Sequence, residues 1–144
     1  MAEEFYLNSA YTFGIGDDGT TINVLGAGLS NVDPQMNEEV DQTPYLDGDG
    51  FSTSDVTGGQ VTYAFTGHRL YGDAAQDYIF SKQYTFGSAR RCYFSVTSPN
   101  GETLTGPATI ANISGPSGEA NTKGEISFEI HFNGKPVHTE PPVV

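Results

Sequence analysis

The chain has 144 residues, 18 acids against six Lys and Arg, a formal net charge of −12 and a single cysteine. That length holds one domain with its own core and is too short for two ordinary ones. The charge excludes a surface built to grip nucleic acid, which needs clustered Lys and Arg, and one thiol excludes a disulfide framework.

The acids are unevenly placed. Residues 1–68 hold eleven of them and no Lys or Arg, whereas all six bases (Arg69, Lys82, Arg90, Arg91, Lys123, Lys135) follow, with seven acids. This polarity favours head-to-tail contacts, in which an acidic surface of one copy meets a less acidic surface of the next. Abundant Tyr, Phe, Thr and Val favour strands, and 18 Gly together with Asn, Asp and Pro supply turns, so a mainly β domain is expected. The start Met1-Ala2-Glu3-Glu4-Phe5 has neither the basic region nor the apolar segment of a signal peptide. No stretch approaches membrane-spanning length, so the expectation is assembly in a cytoplasm without membrane insertion.

In chain order, Ala10 to Ile15 and Thr21 to Leu25 read as strands around the turn cluster Gly16-Asp17-Asp18-Gly19. Leu29 to Met36 is a further strand, interrupted by Pro34. Asn37 to Gly59 has few apolar residues and many Asp, Glu, Gly, Ser and Thr, which predicts a long acidic loop; loops of that length are usually functional or disordered. From Gln60 to Thr66 the odd positions Val61, Tyr63 and Phe65 are apolar, a half-buried strand.

Gly72 to Tyr84 is the one helical candidate, with Ala75, Tyr78 and Ile79 on a common face. Asp73 and Asp77 near its start and Lys82 near its end suit the helix dipole, and Gly87 is placed to close it. Arg91 to Thr97 alternates through Cys92, Phe94 and Val96, Pro99-Asn100-Gly101 is a turn, and Leu104 to Ile113 is a partner strand. After a Gly-rich loop over Ser114 to Gly124, Glu125 to Phe132 points Ile126, Phe128, Ile130 and Phe132 one way. Asn133 to Val144 is a Pro-bearing tail. The fold class expected is a β-sandwich or split barrel with one α-helix packed on its side and a long projecting loop.

Chemical signatures are weak. Gly14 to Gly19 has dinucleotide-fingerprint spacing without the following helix, and two aspartates there oppose a pyrophosphate. Asp47-Gly48-Asp49-Gly50 opens like a calcium loop, but Phe51 takes the third oxygen position; a looser calcium site with Asp41 or Asp55 is the alternative to a solvated loop. His68, His131 and His138 lack metal-ligand spacing, and Gly115-Pro116-Ser117-Gly118 is not a nucleophile elbow. No active site and no cofactor are expected.

The order of features is more specific than its parts. A strand ends in Phe65-Thr66-Gly67-His68-Arg69, and Tyr71-Gly72-Asp73-Ala74-Ala75-Gln76-Asp77 opens a lone helix. Later come Pro99-Asn100-Gly101-Glu102 and Ile126-Ser127-Phe128-Glu129-Ile130, closing on Asn133-Gly134-Lys135-Pro136. Over roughly residues 28–137 the chain resembles the major tail tube proteins of long-tailed (siphovirus-type) bacteriophages. The resemblance implies a single domain over 1–137 followed by a tail over 138–144. It also implies hexameric rings whose sheets join around a channel and stack head to tail into a virion tube that conducts the genome. Implied partners are further copies of the chain, a tape measure protein inside the tube, a tail terminator and distal tail proteins at its ends, and double-stranded DNA in transit without specific binding. The long loop of that family reaches an adjacent ring, which here makes Glu38, Glu39, Asp41, Tyr45, Asp47, Asp49, Phe51 and Asp55 the candidate stacking residues.

An acidic channel wall repels phosphate and lets DNA slide. If the polar faces of the strands at 29–36 and 60–66 line the channel, then Asn31, Asp33, Gln60 and Thr62 are candidates; a one-residue register change turns them to solvent or to a neighbour. Arg69, Arg90 and Arg91 are candidate partners for a neighbour's acidic loop, or else ordinary surface charges of their own elements. Two rival readings are a polysaccharide-binding β-sandwich, with or without calcium, and another tail part such as a terminator or the inner tube of a contractile tail.

Overall fold

The computed structural model of the chain describes residues 5–18, 20 and 22–141. Gly19 of the expected turn, Thr21 of the expected second strand, the first four residues and the last three of the expected tail lie outside the described residues.

The molecule is mostly β. The strands are β1 (Thr12–Gly16), β2 (Asn23–Leu25), β3 (Leu29–Gln35), β4 (Glu39–Pro44), β5 (Ser52–Gly58), β6 (Thr62–His68), β7 (Arg91–Thr97), β8 (Thr103–Ser117), β9 (Glu125–Phe132) and β10 (Val137–Thr139), with one helix, α1 (Ala74–Phe80). Among the described residues, eight strands form one antiparallel sheet in the order β2-β1-β7-β8-β9-β6-β3, with β10 beside β8; β4 and β5 pair only with each other.

The large sheet curls on itself, as its aromatic side chains make plain. Phe13 of β1 meets Phe65 of β6 at 5.1 Å between ring centroids although three strands, β7, β8 and β9, separate these two in the sheet, and Phe94 of β7 lies 5.6 Å from both Tyr63 and Phe132. The inward positions alternate as period-two strands require: Cys92, Phe94 and Val96 in β7, and Ile126, Phe128, Ile130 and Phe132 in β9, are all buried. The helix α1 packs against β1, β2 and β8, and its Ala75, Gln76 and Ile79 are buried. Its helical start follows from Asp73, whose carboxylate accepts the Gln76 N–H at 3.1 Å as an N-cap.

Several expectations need correction. The segment from Asn37 to Gly59 is an antiparallel ribbon rather than an irregular loop, because Val40, Thr43, Thr53, Val56 and Thr57 are β-branched residues suited to strands even without a core to face. The helix ends at Phe80, and Gly87 (φ +70°) instead opens a 3-10 turn over Gly87–Arg90. Strand β8 runs on through Ser114 to Ser117, where two register shifts against β9 break the alternation. His138 and Thr139 of the expected tail pair with Leu104 and Thr103. Pro34 is tolerated within β3 because that strand is an edge, paired only with β6.

Gly67 marks a close approach. A Cβ there would lie 2.5 Å from Leu29 Cα, where β3 shifts register against β6. Cys92 is 5% exposed, and burial pushes its thiol up to about 12, so the neutral thiol prevails at ordinary pH. The native protein is therefore expected to resist a thiol-specific chromogenic reagent at pH 8 and to react fully once denatured; rapid labelling of the native protein would contradict this packing.

Candidate functional site

The residues singled out from the sequence fall in three places: the β4–β5 ribbon, the outer face of the sheet, and the arginines.

The ribbon leaves the sheet at a fixed root. Asn37 adopts a left-handed conformation (φ +49°), which asparagine tolerates, and its side-chain amide donates to Gln60 O at 3.0 Å and to Thr62 Oγ1 at 2.9 Å. The Gln60 N–H donates to Met36 O, and its side-chain amide donates to Phe132 O at 3.2 Å, which ties both ribbon ends to β9. Beyond the root, nearly every residue of β4 and all of β5 are exposed.

Register divides the ribbon into two chemically different faces. Val40 lies opposite Val56 and Pro44 opposite Ser52 on one face; Asp41 lies opposite Asp55 and Thr43 opposite Thr53 on the other, which Glu39 joins by alternation. The tip is a 3-10 turn (Leu46–Gly48) in which Tyr45, Leu46 and Phe51 are exposed beside Asp47 and Asp49. All the expected stacking residues, Glu38, Glu39, Asp41, Tyr45, Asp47, Asp49, Phe51 and Asp55, thus sit on one arm that touches little of its own chain. Six acids and no base fall between Glu38 and Asp55.

The outer face of β3, β6, β9 and β8 is small and polar. Across it, Asp33 faces Ala64, then Glu129, then Ala111, while Asn31 faces Thr66, then Ser127, then Ser114. Asn31 and Asp33 are exposed there, as is Gln60 at the ribbon root. Thr62 belongs to the same face by register, but it is 8% exposed beneath Asn37, so as a surface candidate it is corrected to a buried one. Glu129, which sequence reasoning did not single out, joins Asp33 on this face. A hydrogen bond from His131 at 2.9 Å, with a further one from Asn112, holds its carboxyl below the usual carboxylate range.

The three arginines part ways. Arg69, its side chain 9% exposed, pairs with Asp77 at 2.9 Å and stacks over the rings of Tyr71 and Phe80. Arg90 donates to the carbonyls of Thr85, Gln83 and Ile110 and so fixes the segment that precedes β7. Arg91 is exposed and, among the described residues, its side chain has no hydrogen-bond or ion-pair partner.

Sequence reasoning also missed Gln76. It is fully buried, and its amide joins three segments: Oε1 accepts the Leu70 N–H at 2.8 Å, and Nε2 donates to Ala27 O at 2.8 Å and to His68 O at 3.1 Å. Its helical phase, adjacent to Ala75 and three before Ile79, was the available signal.

Among the described residues there is no group of three or more His, Cys, Asp or Glu side chains placed to hold a metal ion, and no helix is long and apolar enough to cross a membrane. No family model and no curated protein matches the sequence. Solved structures do. The chain is similar to one in the tail of an empty gene transfer agent (GTA) particle, determined with helical refinement and C6 symmetry, at a TM-score of 0.77 and 16% identity over 94% of this chain and 100% of that one. It is similar to a chain of the SPP1 tail tube at a TM-score of 0.69 and 15% identity, covering 94% and 80% of the two. A third likeness is to the sheath/tube terminator of an extracellular contractile injection system, PVC, at a TM-score of 0.64 and 14% identity, covering 97% and 100%. At such identities the likeness shows a fold shared with these chains.

Proposed function

We propose that this chain is a structural virion protein, the major subunit of a long phage tail tube. Six copies close a ring by joining sheet edges, rings stack head to tail, and the outer face of β3, β6, β9 and β8 lines the channel. Asn31, Asp33 and Glu129 then present neutral and negative groups to DNA in transit, which passes without being held. A tape measure protein occupies the tube before DNA does, terminator and distal tail proteins cap it, and assembly takes place in the host cytoplasm.

The observation that carries this reading is the ribbon. A two-stranded ribbon with both faces in water is marginally stable in isolation, and its exposed Val40, Val56, Leu46 and Phe51 gain cover only from another molecule. The fold likeness supports a tube as that assembly. The unpaired edges of β2 and β3 support ring closure, which protects them. The test is sedimentation and negative-stain electron microscopy of the purified protein over a concentration series. Hollow tubes are the expected result, and a monomer at every concentration would overturn the proposal.

The likeness to a tube terminator favours one second reading, a capping ring. A cap gives single rings that do not extend, so the same micrographs separate the two.

A further inference from the structure

The ribbon's two faces require a receiving surface that is both apolar and cationic, and the chain carries one. Between α1 and β7, Tyr84 and Phe86 are each 85% exposed on a segment held by Arg90, which donates to the carbonyls of Gln83 and Thr85 on either side of Tyr84 and to Ile110 of β8. The segment leads directly into Arg91, whose side chain is exposed and without a hydrogen-bond or ion-pair partner among the described residues. Large aromatic side chains left in water on a rigid segment, with a free guanidinium beside them in sequence, have the composition of an interface centre.

The ribbon offers the complement. Its apolar face and tip present Val40, Val56, Leu46 and Phe51, and its other face sets Asp41 directly across from Asp55. Two carboxylates in opposed positions repel, and the ribbon contains no base to relieve them. Of the six bases, Arg69, Lys82 and Arg90 already bond within the chain; Lys123 and Lys135 are exposed but lack an aromatic neighbour of this kind in their own loops.

We propose that the ribbon of one copy docks on the Tyr84, Phe86 and Arg91 surface of another copy, with Arg91 between Asp41 and Asp55. The inference rests on the tube reading and names the contact by which rings stack. Because donor and acceptor are different surfaces of one chain, the contact is heterologous and repeats along the axis without limit. Its specificity comes from charge, since any other acidic surface would repel the ribbon.

The experiment compares wild type, Arg91→Glu, Asp41→Lys/Asp55→Lys, and the triple variant, by the protein concentration at which tubes appear at about 0.1 M salt. All substituted side chains are exposed, and circular dichroism checks that each variant is folded. Either charge reversal alone is expected to raise that concentration on the order of tenfold or more, and the triple variant to recover most of the loss. A Phe86→Ser variant is expected to weaken assembly at every salt concentration. Tubes from wild type with no effect of Arg91→Glu, or with no recovery in the triple variant, would overturn this contact and leave the tube reading standing. Absence of tubes from wild type would overturn both.

Discussion

Replacing residues 39–58 with a short Gly-Ser turn is expected to abolish tube formation and to leave the body of the protein folded. The reason lies in how the chain divides its apolar groups. The core, centred on Phe94, Phe65, Phe128 and Phe132, draws its side chains from the curled sheet and α1, and the ribbon contributes none of them. Removing the ribbon therefore deletes no core side chain from the monomer. The melting temperature is expected to change by less than about 5 °C, as for other changes away from the core. In the proposed assembly the deletion removes the whole docking arm, and with it the exposed Val40, Val56, Leu46 and Phe51. Tubes of normal length from the deleted protein, seen in negative stain, would assign stacking to another surface. A deleted protein that fails to fold would show that the sheet depends on the ribbon itself, since the root at Asn37 and Gln60 is kept.

The largest single-residue effect on stability is expected at Gln76. The change Gln76→Leu keeps the volume and removes the amide, which orphans the Leu70 N–H and takes one donor from the carbonyls of Ala27 and His68. Each buried polar group left without a partner costs about 1–3 kcal/mol, so a loss of about 3–5 kcal/mol is expected. For a chain of this size that lowers the melting temperature by about 10 °C or more. Thermal unfolding by circular dichroism measures it. A shift within about 2 °C would mean that water replaces the amide and that Gln76 is not the tie between α1, the β2–β3 turn and the end of β6.

These two sites also mark where the sequence was opaque. Strands β7 and β9 were legible to their last residue, because each has one dry and one wet face and Phe94, Phe128 and Ile130 alternate with Ser95, Glu129 and His131. The ribbon is wet on both faces, so burial imposes no alternation on it, and only its Thr and Val content hinted at strands. Its acidic, projecting character was nonetheless readable from the run of six acids without a base. Gln76 was not singled out, since nothing local foretells that Ala27 and His68 turn their carbonyls toward it. Ser114 to Ser117 read as loop because the shifts around Ser114 break the period of two.

Among the candidate site residues, the outer-face positions Asn31 and Asp33 followed from the register of β3. Thr62 shares that register, but the Asn37 side chain closing over it comes from a turn whose left-handed backbone the sequence does not announce. Arg69 was drawn inward by the Asp77 carboxylate eight residues later and by two aromatic rings. Pairings across a turn of that kind depend on where the helix begins, which the N-cap at Asp73 sets.

A helical reconstruction of the assembled protein by electron cryomicroscopy tests the central claim most directly. The result expected is a hollow tube of sixfold rings, with Asp33 and Glu129 on the channel wall and each ribbon seated on a copy in the next ring. A tube whose channel is lined by the opposite sheet face, or an assembly in which the ribbons hang free in solvent, would contradict it.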